Sequence, residues 1–240
     1  GSLTNSTGAL GNCAEWIDQH QLNVNHRNYQ REQYIELVLD KARTPNGFFA
    51  LKLFPRHLHW VQMTYGIDII EHLTAGNDIK FIFLTRQDRV KQAVSFSRAL
   101  QSNTWTSRNS KIRQEKYNFS QICRCYIGIG NSNEFWTSYL TMRQIEYKHF
   151  VYEELLDDPK MFTNTIANHS GFSNLQFVNS ELKVQRDAVT QDWIQRFLED
   201  AKTKNILKYA AQLYYPRRKI SNFKRFILGK QLKPAPYTIN

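Results

Sequence analysis

The chain has 240 residues, with 32 basic against 21 acidic side chains and a formal net charge of +11. Hydrophobic residues make up 41% of it, which suits a globular protein with a sizeable core, and no apolar run approaches the roughly 20 residues that span a bilayer. The three cysteines are too few for a disulfide framework, so we predict reduced thiols and a cytoplasmic protein. The positive charge predicts an anionic partner.

Helices and strands alternate along the sequence. The predicted elements are, in chain order, a helix over 28–42, a strand over 48–54, a stretch over 57–73 that is helical in part and interrupted by Gly66, a strand over 78–85, a helix over 90–102, a polar loop over 103–116, one long or broken helix over 118–144, a strand, turn and helix over 148–172, and helices over 192–214. This alternation predicts an α/β fold with a mainly parallel sheet flanked by helices.

Much of the excess positive charge lies near the end of the chain. Seven basic residues and no acidic residue occur between 214 and 234. A solvated basic tail explains this segment better than a dedicated site. We therefore predict a main domain over 1–215 and a basic C-terminal extension over 216–240 that offers contact with an acidic surface. No recognised RNA or DNA motif accompanies the charge, so nucleic acid is not a predicted partner.

An arginine and a serine stand where an α/β sheet binds its ligands, beyond the carboxyl ends of its strands. Arg86 follows the predicted strand 78–85, and Ser95 lies on the next predicted helix. A guanidinium donates two parallel hydrogen bonds and a hydroxyl a third, which suits a phosphate. The alternative is that Arg86 pairs with Asp88 or with a helix end, and that Ser95 is a small packing residue.

Four segments have the character of motifs. They are TGALGNCAEW (7–16), TPNGFFALKL (44–53), Leu84 to Trp105 with QAVSFSRALQS inside it, and VQRDAVTQDWIQRF (184–197). Together and in this order, they resemble segments of the trehalose sulfotransferase family, whose members use 3′-phosphoadenosine-5′-phosphosulfate (PAPS). The first is similar to the family's Thr-Gly-x-x-Gly-x-Pro-x-Glu segment, and the second to its Thr-Pro-Asn-Gly-x-x-x-x-Lys turn and strand.

The resemblance implies a P-loop-type sulfotransferase fold in a single α/β domain. It implies transfer of a sulfuryl group from PAPS to a hydroxyl of a carbohydrate or glycolipid acceptor by in-line displacement, with adenosine 3′,5′-bisphosphate as the product. This chemistry requires no metal, and a homodimer is compatible with it.

Two residues match catalytic positions of the family. Glu15 matches the glutamate that acts as general base on the sugar hydroxyl, and Lys52 matches a lysine near the transferring sulfonate in related sulfotransferases. A carboxylate suits the first role because a sugar hydroxyl loses its proton with difficulty, and a cation suits the second because positioning and positive charge dominate such transfers. Without the resemblance, Glu15 would be an exposed loop carboxylate and Lys52 an ordinary strand residue.

Four further residues match cofactor-binding positions. The resemblance assigns Arg86 and Ser95 to the 3′-phosphate of the cofactor. It makes Gln185 and Arg186 candidates for a second cofactor contact, although Arg186 has neighbouring aspartates as alternative partners.

The sequence departs from the family's pattern in two places. A loop with a pattern like Arg-Ser-Gly-Ser-Thr-Leu-Leu holds the 5′-phosphosulfate and should precede TGALG, whereas the sequence begins six residues before Thr7. We therefore expect the chain to lack this loop, and a chain without it to bind the cofactor poorly. Cys13 replaces the usual proline, which loosens the turn before Glu15.

These departures leave two other classes open. The first is a catalytically inactive or truncated relative that binds an anionic glycan or a protein partner through its basic tail. The second is a phosphotransferase of the same superfamily, against which the QAVSFSRALQ sequence argues.

Other clusters are interpreted as structural. His57 and His59 have no carboxylate or cysteine at a spacing typical of metal ligands, so we predict two histidines on a helix surface. Trp60, Trp136 and Trp193 are predicted to lie in the core rather than to form a platform for a sugar ring.

Overall fold

The structure, a computed structural model, describes residues 1–103, 105, 115–172, 175 and 188–206. The chain divides into two compact units. The first unit comprises residues 1–87 and 132–183, and the second comprises residues 88–131 and 184–240. The predicted start of the basic C-terminal extension lies outside the described residues and stays a prediction.

Helices dominate the described residues, and two strands accompany them. In chain order the elements are α1 (Ser2–Asn5), α2 (Gln19–Leu22), α3 (Arg31–Ala42), α4 (Pro55–Tyr65), α5 (Ile69–Thr74), β1 (Phe81–Thr85), α6 (Arg89–Ser102), α7 (Phe119–Met142), β2 (Tyr147–Val151), α8 (Tyr152–Asp157), α9 (Pro159–His169) and α10 (Ala188–Thr203). A short 3-10 helix, His26–Asn28, precedes α3. Across the described ranges, no helix combines the length and the apolar character needed to cross a membrane.

Helix α3 forms the centre of the largest core cluster in the first unit. Its residues Tyr34, Val38 and Ala42 recur every fourth position and are buried, which is the pattern of one helix face turned to a core. The Tyr34 hydroxyl donates to the carbonyl oxygen of Ile17 at 3.1 Å, so this buried polar group is satisfied. Helices α4 and α5 add apolar residues to the same cluster.

The helix predictions are largely confirmed. The predicted helix over 28–42 is α3, the interrupted stretch over 57–73 falls on α4 and α5, and α7 is one long helix. Gly66 separates α4 from α5 with a φ of +71°, a left-handed conformation that glycine adopts without a steric penalty. The predicted turn after β2 is the short helix α8.

The two strands pair in parallel, as the alternation of helices and strands predicted. Phe81 is opposite Tyr147, and Thr85 is opposite Val151. Apolar residues of β2, α8 and α9 form a further core cluster with Leu3 and Leu10, which lie near the start of the chain. The pairing places the carboxyl ends of both strands, at Thr85 and Val151, side by side.

The predicted strand over 48–54 is wrong. This segment makes two isolated bridges, from Phe49 to Arg43 in antiparallel and from Leu51 to Ala14 in parallel, and no continuous ladder. The physical reason is that its backbone hydrogen bonds go to irregular chain: the Ala50 N–H donates to the Ala42 carbonyl, where α3 ends. The apolar character of this segment therefore reflects contact with the core without a sheet.

The second unit is built on α6, α10 and the part of α7 that ends at residue 131. Buried apolar residues of these helices, including Val94, Ile122 and Trp193, form its core. A buried ion pair lies beside them: Arg98 Nη2 and Glu115 Oε2 are 2.6 Å apart, with side chains 10% and 8% exposed. Arg98 also donates to the Thr190 hydroxyl, so the pair ties α6 to α10.

Candidate active site

The TGALG and TPNG motifs of the first unit contact each other. The Asn46 side-chain amide donates to the Ala9 carbonyl at 2.9 Å, and the Gly11 N–H donates to the Thr44 hydroxyl at 3.3 Å. Gly11 has a φ of +79°, and a Cβ at this position would lie 2.3 Å from the Ala50 nitrogen. The backbone of one motif therefore approaches the other so closely that only glycine fits.

This contact brings two predicted catalytic residues together. Ala14 forms a bridge with Leu51, and the Lys52 N–H donates to the Ala14 carbonyl at 2.9 Å. Glu15 directly follows Ala14 in one bridged segment, and Lys52 directly follows Leu51 in the other. Lys52 Nζ lies 3.0 Å from Glu15 Oε1, a charge-assisted hydrogen bond between side chains 37 residues apart in sequence.

A second cation that the sequence analysis missed binds the same carboxylate. Arg56, in the first turn of α4, places Nη2 2.5 Å from Glu15 Oε2. The Phe54 ring lies under both cations, with its centroid 4.9 Å from Lys52 Nζ and 5.1 Å from the Arg56 guanidinium carbon. Each oxygen of Glu15 thus has its own cationic partner, and an aromatic ring supports the two cations.

His57 is buried beside this group, so its prediction as a surface histidine is wrong. The side chain is 4% exposed, and its Nδ1 accepts the N–H of Phe54 at 3.2 Å, which caps the start of α4. This capping role turns the ring inward. His59, two residues further along, is exposed as predicted.

The His57 ring is neutral near pH 7. Burial lowers its pKa to about 4, and the neighbouring Arg56 charge acts in the same direction, while Glu15 opposes the shift. The Arg56 Nε lies 3.2 Å from His57 Nε2. A neutral imidazole has one lone pair for hydrogen bonding, so it accepts from either Phe54 or Arg56 at one time. His57 therefore adds no positive charge next to Glu15.

Arg86 lies at the carboxyl end of β1, as predicted, and its guanidinium carbon is 3.6 Å from the centroid of the Tyr152 ring. The backbone N–H of Gln87, the next residue, donates to Glu153 Oε2 at 3.0 Å. On the other side, the Thr85 hydroxyl oxygen lies 2.8 Å from His149 Nε2. Residues of β2 and α8 thus hold the chain on both sides of Arg86. Within the described part of the first unit, the guanidinium has no carboxylate partner.

Ser95 lies on the exposed side of α6 in the second unit. Its neighbours Ala93, Val94 and Ser97 are buried, so the face that packs is the other one, and the alternative of a small packing residue does not hold. Asp88 caps this helix by accepting the Lys91 N–H at 2.9 Å. The candidates Gln185 and Arg186 lie outside the described residues, so their roles stay predictions.

Comparison with known proteins adds independent evidence. A model of the Stf0 sulphotransferase family matches residues 10–200. The chain belongs to the Stf0 sulphotransferase family. It is also 26% identical over 184 residues to trehalose 2-sulfotransferase of Mycolicibacterium smegmatis (strain ATCC 700084 / mc(2)155), a match that covers 70% of this chain and 66% of the relative. The chain thus spans about two thirds of the length of that relative.

The Stf0 match contains all of the predicted site residues, because its limits enclose positions from Glu15 to Arg186. Arg56 and His57 also lie inside it. A signal for Arg56 was present in the sequence, since Pro55 marks the first turn of a helix. Local spacing does not indicate that this turn faces Glu15, because that contact depends on the bridge between Ala14 and Leu51.

Proposed function

We propose that this member of the Stf0 sulphotransferase family transfers a sulfuryl group from PAPS to a hydroxyl of a carbohydrate acceptor. The observation that carries the proposal is the 3.0 Å pairing of Glu15 with Lys52 across two distant motifs. The family match supports the sulphotransferase reaction. The name of the relative, trehalose 2-sulfotransferase, supports a sugar as the acceptor.

The residues present fit an anionic donor. The face of the Arg86 guanidinium is covered by Tyr152, which leaves the N–H groups at its edge for a phosphate. We therefore propose Arg86 as a ligand of the 3′-phosphate. Ser95, whose side chain is exposed on the second unit, is a second candidate that rests on the family resemblance alone. Gln185 and Arg186 are the proposed second contact. Lys52 adds positive charge in the candidate active site, where His57 is neutral.

The chemistry divides between two side chains. The Glu15 carboxylate removes the proton of the acceptor hydroxyl as that oxygen forms its bond to sulfur. The Lys52 ammonium group balances the negative charge of the group in transfer, which is the main electrostatic requirement of an in-line displacement. When bound, PAPS supplies the sulfuryl group. The bond between sulfur and the bridging oxygen breaks, and its electron pair leaves with adenosine 3′,5′-bisphosphate.

Several finer features of the proposal come from the sequence. They are the P-loop-type donor fold, a glycolipid as an alternative acceptor, a homodimer, and contact of the basic extension 216–240 with an acidic surface. A cytoplasmic location is also proposed, and the free thiols of the three cysteines support it.

Calorimetric titration with adenosine 3′,5′-bisphosphate tests the donor site. We expect the chain to bind it, and Arg86→Ala to weaken binding about tenfold or more, because a hydrogen bond to a charged group contributes about 1.5–3 kcal/mol. Arg31→Ala is the matched control, since Arg31 is a partly exposed arginine on α3 that pairs with the adjacent Glu32. Equal affinities of the Arg86 variant and the control would contradict the phosphate assignment.

The acceptor is tested by incubating the chain with sulfur-labelled PAPS and a panel of sugars that begins with trehalose. Label in a sugar product, absent without the chain, supports the reaction. If adenosine 3′,5′-bisphosphate binds but the label stays in PAPS with every sugar tested, the result would argue against a carbohydrate acceptor.

A further inference from the structure

The candidate base is held from both sides. Lys52 binds Glu15 Oε1 at 3.0 Å, and Arg56 binds Oε2 at 2.5 Å. The Glu15 side chain is 28% exposed, so its oxygens are directed mainly at these two cations. A carboxylate that receives a proton from a substrate must turn a lone pair toward it. Each Glu15 oxygen keeps a second lone pair beside its cation, so an exchange is required only by Lys52, whose proposed place is at the sulfonate.

The structure fixes Arg56 more firmly than Lys52. Arg56 follows Pro55 in the first turn of α4, a turn that the capping contact between His57 and Phe54 also holds. Its guanidinium lies against the Phe54 ring and within 3.2 Å of His57. A guanidinium keeps its proton at any ordinary pH and presents its donors in a fixed plane.

Lys52 has the properties of an exchangeable partner. It stands on a segment with isolated bridges, whereas Arg56 lies in a helix, and the two side chains are exposed to a similar extent, 51% and 59%. The ammonium group ends a flexible four-carbon stem and donates in any direction. Movement of Nζ therefore requires rotation of the side chain and leaves the backbone in place.

We infer that Arg56 is a positioning residue, which orients Glu15 through Oε2, and that Lys52 is the partner that releases Oε1. This inference rests on the proposed function. Lys52 turns from Glu15 to the sulfonate of bound PAPS, and Oε1 then faces the acceptor hydroxyl. The exchange frees Oε1 once the donor has arrived.

Turnover kinetics test the role of Arg56. Arg56→Ala is expected to lower kcat by about 10- to 100-fold, because a base displaced by about 1 Å loses efficiency of this size. The KM for PAPS is expected to stay within roughly twofold, since Arg56 holds the base and not the donor. Arg56→Lys, or guanidinium ions added to Arg56→Ala, should restore part of the rate. Arg31→Ala is again the control. A higher KM with unchanged kcat would overturn the inference.

A second measurement does not need turnover. Urea unfolding of Glu15→Gln combined with Arg56→Ala, and of Glu15→Gln combined with Lys52→Ala, gives the coupling of each pair. Both pairs are expected to couple in the free protein. With PAPS present, the Glu15–Arg56 coupling should persist and the Glu15–Lys52 coupling should fall.

PAPS binding completes the test. Glu15→Gln is expected to bind PAPS more tightly than the unaltered chain, because Lys52 no longer has to leave a carboxylate. If neither the unaltered chain nor any variant binds PAPS, the proposed function fails for this chain. The Glu15–Arg56 coupling in the free protein still shows whether Arg56 holds Glu15 in place. Absence of Glu15–Arg56 coupling, or its loss on addition of PAPS while the Lys52 pair persists, would overturn the inference.

Discussion

Replacement of Gly11 by alanine should separate the two motifs that form the candidate active site. The added Cβ would lie 2.3 Å from the Ala50 nitrogen, where ordinary contacts begin near 3.4 Å. The segment that carries Lys52 must therefore retreat by about 1.1 Å, the difference between these two distances. The backbone strain of a side chain at φ +79° adds about 1–2 kcal/mol.

Gly47→Ala is the matched control. Gly47 also has a positive φ, of +87°, but a Cβ there would meet no atom within 4 Å. It should show the backbone strain alone, while Gly11→Ala should lose at least about 1–3 kcal/mol more in the free energy of urea unfolding, the usual cost of overpacking. Gly11→Ala should also reduce sulfuryl transfer far more than Gly47→Ala. Equal stability losses for the two variants would refute the reasoning about close approach.

Three further predictions follow from single side chains. Glu15→Gln should lower the transfer rate by about 100-fold or more while the affinity for adenosine 3′,5′-bisphosphate is retained, and full turnover by this variant in a labelled-PAPS assay would remove the general-base assignment. Arg98→Met should reduce the free energy of unfolding by about 3 kcal/mol, because it withdraws the guanidinium from the buried Glu115 carboxylate, whereas Arg196→Met, at an exposed pair, should cost little. Since burial lowers the His57 pKa from 6.5 to about 4, the unfolded chain binds more protons between these values, and stability should fall as the pH falls from 6.5 to 4. Urea unfolding at several pH values should show a weaker dependence for His57→Gln, and an equal change in His59→Gln would contradict the assignment.

Patterns of local spacing predicted the helices well. Helices α3 and α6 each carry a repeating set of apolar or small residues on one face. This repetition predicts a helix even when the contacts of that face are unknown. Arg86 was also placed correctly at a strand end, because a strand and its last residue are local features. Its contact with Tyr152 was not predicted, since it depends on the parallel register of β1 and β2.

Contacts between distant segments explain the failures. The apolar segment 48–54 predicted a strand, but among the described residues no partner strand runs beside it, and the bridge to Ala14 is a single one. His57 looked like a surface residue because its burial comes from a turn into the core at the start of α4. Arg56 was missed because its contact with Glu15 depends on the bridge between Ala14 and Leu51. The family resemblance implied that Glu15 and Lys52 both belong to the active site, but neither it nor the spacing of the residues predicted their direct pairing.

The bridge between Ala14 and Leu51 has a consequence for engineering and for evolutionary change. The main-chain hydrogen bond from Lys52 to Ala14 fixes the distance between the backbones that carry Glu15 and Lys52, and this bond depends little on which side chains are present. Loops elsewhere in the chain are therefore free to diversify around a constant reactive pair. Redesign of those loops should leave the pair intact, as long as Gly11, which permits the close approach of the two segments, is retained.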